Sequence, residues 1–276
     1  MLEIKYCSHL IHFFFSVLEL FMETLSLLHI IIGDYMIRTI LICLYLGLFL
    51  VCGIPVQWIL TLLEKKYPGI KAKVSSKLVK NAFKVCLFLS GTKVTVYGLE
   101  NIPTNQQFLF VGNHRSYFDI LVSYVASPIP LGYIAKKEME KIPLLATWMR
   151  SIHCLFLDRK NIKEGMKTIL AGTEILKSGY SLCIFPEGTR SKEVGLLPFK
   201  EGSTKMAEKA KVPILPMALS NTDAIFEKNP HNKIKAASVT LTFGKPVYID
   251  QLDADNKKFL GAYLQKQIET MLAEHQ

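Results

Sequence analysis

Gln107-Phe108-Leu109-Phe110-Val111-Gly112-Asn113-His114-Arg115-Ser116-Tyr117-Phe118-Asp119 is the stretch that decides the fold. Gln107 to Val111 is a continuous, essentially apolar run of strand length, Gly112 and Asn113 break it, and Tyr117 to Tyr124 has a helical pattern. His114 therefore falls at a strand-to-helix turn. Five residues along one regular helix would turn His114 and Asp119 roughly 140° apart, so the two meet only if the histidine precedes the helix.

That placement has chemical content. An imidazole takes a proton from an alcohol only if its far nitrogen is held in the right tautomer, and a carboxylate accepting the Nδ1 hydrogen does this. His114 is the candidate base and Asp119 its orienting partner. A plainer reading stands beside it: Ser116 and Asp119 have the spacing of a capping box and can serve the helix start alone. A metal centre is not expected, because no His, Cys or Asp cluster supplies further ligands.

A second element points to the same chemistry. Ser181-Leu182-Cys183-Ile184-Phe185 reads as a buried strand ended by Pro186, which leaves Glu187, Gly188, Thr189 and Arg190 in the loop beyond it. Ligands bind there in open α/β sheets. Gly188 lets the backbone approach a ligand, and Arg190 offers a planar fork suited to phosphate. The alternative is an ordinary loop with a surface ion pair.

Outward from these elements, Lys93–Tyr97, Leu131–Ala135, His153–Leu157, Ile214–Leu219 and Val239–Phe243 are further strand candidates. Helical stretches lie between several of them: Glu138–Arg150, Lys163–Lys177 and Gly202–Lys211, and Leu260, Leu264, Ile268, Met271 and Leu272 form the stripe of a closing helix. Strands separated by helices predict an α/β fold, a mixed, largely parallel sheet flanked by helices.

As a set, Asn113 to Asp119, Leu155-Phe156-Leu157-Asp158-Arg159, Phe185 to Ser191 and Val212-Pro213-Ile214-Leu215-Pro216 resemble the four ordered blocks of the glycerolipid acyltransferase family, most closely its bacterial 1-acylglycerol-3-phosphate acyltransferases. The resemblance covers roughly residues 92 to 250. It implies that His114 is the general base with Asp119 as partner, and that Glu187, Gly188, Thr189, Arg190 and Arg159 belong to the acceptor site, with Glu187 either touching the glycerol or organising its loop. It also implies an acyl carrier protein or coenzyme A thioester as donor, lysophosphatidic acid as acceptor, and no bound cofactor or metal. Acylation of glycerol 3-phosphate or another lysolipid is the alternative. A covalent route through Cys183 or Ser116 is disfavoured, because a thiol inside an apolar strand is usually inert packing and a serine there is more often a cap.

The amino-terminal third has another character. From Thr39 to Leu63 no residue is charged, a run that at ~1.5 Å per residue crosses a ~30 Å hydrocarbon layer. Residues 36–64 are expected to anchor the chain in the membrane. The run exceeds the apolar core of a cleaved leader and lacks a small-residue cleavage pattern. Lys65, Lys66, Lys71, Lys73, Lys77, Lys80 and Lys84 follow, opposed by Glu64, which predicts a cytoplasmic orientation and, over 65–91, a basic amphipathic helix on anionic headgroups or a solvated helix face. Residues 1–35 are apolar with a polar stripe at Ser8, His12, Ser16, Glu19, Glu23 and Ser26, and Met36 resembles a natural start. Residues 92–276 form the expected catalytic domain.

The formal charge of +10 over 276 residues draws anions of every kind. No nucleic-acid motif accompanies it, and the lysines cluster beside the apolar segment, so a nucleic-acid partner is not expected. A scaffold that merely kept the fold would not call for His114, Asp119, Glu187 and Arg190 together. The six cysteines show no paired spacing and read as reduced thiols.

Overall fold

The computed structural model describes residues 35–191, 195–230 and 233–274; the polar stripe expected before Tyr35 lies outside them. Seven strands form one sheet: β1 (Lys93–Tyr97), β2 (Leu109–Gly112), β3 (Leu131–Lys136), β4 (Leu155–Leu157), β5 (Ser181–Ile184), β6 (Ile214–Ser220) and β7 (Ser238–Phe243), in the order β1-β7-β6-β2-β5-β3-β4. β6, β2, β5, β3 and β4 run parallel; β7 is antiparallel to β6 and carries β1 beside it in its own direction. The sheet is mixed and largely parallel, with a strand at each of the seven expected places.

Both faces are covered, which is why the central strands are apolar without alternation. Phe108 and Phe110 enter one core with α1 (Tyr35–Glu64), α2 (Ile70–Ser90), α3 (Phe118–Ala126) and Trp148 of α4 (Pro143–Ser151). Leu109 and Val111 enter the other with α5 (Ile162–Lys177), α6 (Lys205–Ala210) and α8 (Leu260–Ala273), the short α7 (Ala254–Lys258) lying between α6 and α8 in sequence. The closing stripe Leu260, Leu264, Ile268 and Met271 is buried as its spacing predicts.

The expected helix Glu138–Arg150 is two elements, a 3-10 segment at Lys137–Lys141 and then α4. Pro143 is the reason. The residue before a proline is pushed out of the helical region, and Ile142 adopts φ −100°, ψ 94°, so the chain breaks there and restarts with proline in the first turn.

α1 is long and apolar enough to cross a membrane, with an 18-residue window of mean hydropathy 2.5. It does not stand apart from the domain. Leu41, Tyr45, Phe49, Val56 and Leu60 are buried against the sheet's helices, whereas Met36, Ile40, Leu44, Val51, Ile54, Trp58 and Leu62 point outward. A buried polar pin fixes it: Gln57 donates to Ser75 Oγ of α2 (3.1 Å) and accepts from Ser151 Oγ of α4 (2.8 Å). In α2, Lys73, Lys77 and Lys84 are exposed, but Lys80 is half-buried and donates to the Ser127 carbonyl (2.6 Å), so of these four lysines of the basic segment three lie on the open side and one is a tether.

Candidate active site

β2 lies between β5 and β6, and all three run in the same direction. The loops leaving their carboxyl ends must converge: His114 after β2, Glu187 to Arg190 after β5, and Thr222 to Glu227 after β6. β4 is three places from β2, which at ~4.8 Å per strand puts Arg159 on the order of 14 Å along the rim at backbone level.

The turn after β2 is built around one carboxylate. Asp119 is fully buried, and its Oδ2 accepts from His114 Nδ1 (2.8 Å), Arg115 N (2.7 Å) and Ser116 N (2.8 Å). Its Oδ1 accepts from Thr222 Oγ1. The bond from Ser116 N is the Asp119 half of a capping box, and Phe118 N donates to Ser116 Oγ (3.0 Å), so Asp119 serves the helix start as well as facing the imidazole. All four of these groups converge on Asp119, so its carboxyl is the hub of the turn. The imidazole uses Nδ1 toward Asp119, stacks on Phe185 at 4.3 Å, and keeps 16% of its surface open to solvent. Nε2 takes no part in that bond.

The loop after β5 holds the histidine's backbone. Glu187 Oε1 accepts from His114 N (2.6 Å) and Oε2 from Leu197 N (2.9 Å), while Ser191 N donates to the His114 carbonyl (2.8 Å). Burial pushes the Glu187 carboxyl above its usual range against these two bonds. Of its two expected roles, this geometry is that of organising the loop. Gly188 follows in a left-handed conformation (φ 74°), its N–H closing a turn on the Phe185 carbonyl (3.0 Å). Thr189 is exposed.

The two arginines stand in different settings. Arg190 donates to Glu227 Oε1 (2.8 Å) and its guanidinium lies 3.8 Å over the Tyr117 ring. Arg159 lines a cavity of about 260 Å³ with Ile134, Leu157, Ile184, Met206 and Lys200. Among the described residues neither Arg159 nor Lys200 forms an ion pair, while neighbouring Asp158 is taken by Lys137 (3.0 Å). Lys200 also borders Gly188: its Nζ would lie 2.8 Å from a Cβ placed there.

Lys200 and the whole segment after β6 were not singled out in the sequence. Asn113, buried behind the histidine, donates to the Leu219 carbonyl (2.9 Å) and accepts from Leu219 N (2.8 Å), extending the β2–β6 ladder with a side chain. Glu227 accepts from Ser116 Oγ (2.6 Å) and Tyr117 N (2.9 Å), closing the start of α3, and Asp223 accepts from Arg115 Nε (2.9 Å). The composition of 221–228 carries no mark of this; its only signal is that it follows a strand adjacent to β2. Cys183 is fully buried in β5 with its thiol pushed well up by desolvation. Among the described residues no group of three His, Cys, Asp or Glu side chains gathers as a metal site.

Residues 93–220 match the Acyltransferase family. A 1-acyl-sn-glycerol-3-phosphate acyltransferase of Borreliella burgdorferi is 32% identical over 157 residues, 57% of this chain and 63% of that protein. A probable 1-acyl-sn-glycerol-3-phosphate acyltransferase of Mycoplasma pneumoniae is 31% identical over 211 residues, 70% of this chain and 76% of that protein. The crystal structure of the 1-acyl-sn-glycerophosphate acyltransferase from Thermotoga maritima is similar with a TM-score of 0.68 at 26% identity, covering 88% of this chain and 99% of that one. With three of the four sequence blocks at the carboxyl rim of the sheet, the fourth, Val212–Pro216, leading into and starting β6 beside β2, and relatives of this kind matching most of its length, the chain belongs to the 1-acyl-sn-glycerol-3-phosphate acyltransferase family of enzymes.

Proposed function

We propose that this chain transfers an acyl group from a thioester, carried by acyl carrier protein or coenzyme A, to the free hydroxyl of 1-acyl-sn-glycerol 3-phosphate, forming phosphatidic acid. The observation that carries the reading is the 2.8 Å bond from His114 Nδ1 to a buried, four-fold hydrogen-bonded Asp119. Nε2 removes the hydroxyl proton as the oxygen attacks the thioester carbonyl; the tetrahedral oxyanion collapses, the carbon–sulfur bond breaks, and the departing thiolate takes the proton back from the imidazolium. Base catalysis of this kind contributes ~10² to 10⁴-fold. No covalent acyl-enzyme enters the scheme.

Arg159 and Lys200, the cations beside the cavity that form no ion pair among the described residues, are the groups we assign to the acceptor phosphate. Arg190, held by Glu227 and Tyr117, orders the loop around Gly188 and lends its remaining donors. The outward apolar face of α1 and the exposed lysines of α2 support a reading in which residues 36–64 anchor the enzyme and residues 65–91 rest on anionic headgroups, the catalytic domain 92–276 facing the cytoplasm. An acceptor already in the bilayer suits that arrangement.

The test is thiol release by purified protein in detergent across a panel of three acceptors, lysophosphatidic acid, glycerol 3-phosphate and lysophosphatidylcholine, each with the carrier-protein and coenzyme A thioesters of one acyl chain. Release that depends on lysophosphatidic acid supports the proposal. Faster release with glycerol 3-phosphate or the choline lipid would refute the assigned acceptor.

A further inference from the structure

We propose that Thr222 is a positioning residue for the catalytic base, acting through Asp119; the inference rests on the reading of His114 and Asp119 as base and partner. The two carboxylate oxygens have unequal company. Oδ2 accepts three hydrogen bonds, including the one from the imidazole, whereas Oδ1 accepts from Thr222 Oγ1. Asp119 and Thr222 are both fully buried, so bulk water cannot stand in for the hydroxyl. A carboxylate turns about its Cβ–Cγ bond, and a donor on Oδ1 fixes that rotation and with it the direction in which Oδ2 faces Nδ1.

The hydroxyl itself is held independently of Asp119. Leu219 is clamped by both atoms of the Asn113 amide (2.9 and 2.8 Å). Asn221 then takes a left-handed conformation (φ 61°), with its side chain donating to the Ser238 carbonyl of β7 (2.9 Å), and this reversal aims Thr222 back at the turn after β2. A left-handed backbone is uncommon outside glycine, although asparagine tolerates it better than most. The segment after β6 is therefore a third wall of the site, and Thr222 is where it touches the charge that orients the base.

Three variants separate the hydroxyl from packing: Thr222→Val keeps the shape and removes the donor, Thr222→Ser keeps the donor, and Thr222→Ala serves if the valine variant fails to fold. With folding matched by melting temperature, the expected result is a kcat lowered about tenfold or more in the valine variant, a KM for lysophosphatidic acid within about twofold, and serine restoring most of kcat. In an Asp119→Asn background, measured by single turnover with excess enzyme, the further loss on Thr222→Val shrinks to within about twofold, because the partner it acts through has changed. A folded valine or alanine variant with unimpaired kcat, a serine variant as slow as valine, or an undiminished loss in the asparagine background would each overturn the inference. Failure of the underlying base reading looks different: His114→Ala and Asp119→Asn would then themselves retain activity.

Discussion

Replacing Asp119 separates the fold from the chemistry, because the proposed mechanism gives the carboxylate that holds the turn a second role beside the base. Asp119→Ala strands three donors that now point at it: Arg115 N, Ser116 N and Thr222 Oγ1. Each buried unsatisfied donor costs ~1 to 3 kcal/mol, so the variant loses at least about 3 kcal/mol of a total that is ~5 to 15 for a typical domain. At ~2 to 4 °C per kcal/mol for a domain of this size, its melting temperature falls by at least about 6 °C. Asp119→Asn is milder. Its amide oxygen can occupy the Oδ2 position against the two backbone donors while its NH2 faces a Thr222 hydroxyl turned to accept, for a cost of about 1 kcal/mol. Yet asparagine cannot offset the charge of the imidazolium, so kcat falls by ~10² to 10⁴ in a protein that melts close to the wild type. Thermal unfolding in detergent paired with thiol release reads both numbers. An alanine variant as stable as wild type would refute the structural argument, and a folded asparagine variant retaining more than about a tenth of kcat would refute the chemical one.

Arg159→Ala and Lys200→Ala raise the KM for lysophosphatidic acid about tenfold, more than Arg190→Ala does, because Glu227 already engages Arg190; initial-rate kinetics on the three proteins decide the order. Cys183→Ala keeps substantial activity, and thiol-modifying reagents leave the folded enzyme active over minutes, since that thiol is fully buried and held protonated. His153 predicts an acid sensitivity of stability: its ring packs on Tyr180, its Nε2 is buried without a partner among the described residues, and burial lowers its pKa from 6.5, opposed in part by Glu64. The unfolded chain then binds the proton more readily, so its titration costs nothing above about pH 6.5 and destabilises progressively as pH falls below it toward the lowered folded value. His153→Asn, which suits the left-handed backbone there (φ 61°), flattens that part of the melting-temperature profile; an unchanged slope would exclude His153 as its source.

Much of this was legible because the central strands are buried on both faces: β2 and β5 are apolar runs with a break after each, and the candidate site residues sit in those breaks. The Asn113–Asp119 and Phe185–Ser191 blocks could be read as neighbours because their strands end in loops of unusual composition. What could not be read is which further strand lies beside β2, and without that adjacency Thr222, Asp223 and Glu227 are ordinary residues of a polar segment. Lys200 was hidden for the same reason, since only the fold brings it against Gly188. Pro143 was visible, but the helical pattern around it was read through it. The apolar run of α1 gave its length and not its surroundings, because a helix packed on protein and one facing lipid have the same composition, and only Gln57 hinted at a partner.

The central claim is that His114 Nε2 accepts the proton of the attacking lipid hydroxyl, and the kcat of folded His114→Ala at saturating lysophosphatidic acid tests it most directly. With the base removed, kcat falls by at least about 10² with KM for the acceptor within a few-fold of wild type and the melting temperature nearly unchanged. A folded variant that still makes phosphatidic acid at a rate near wild type would contradict it.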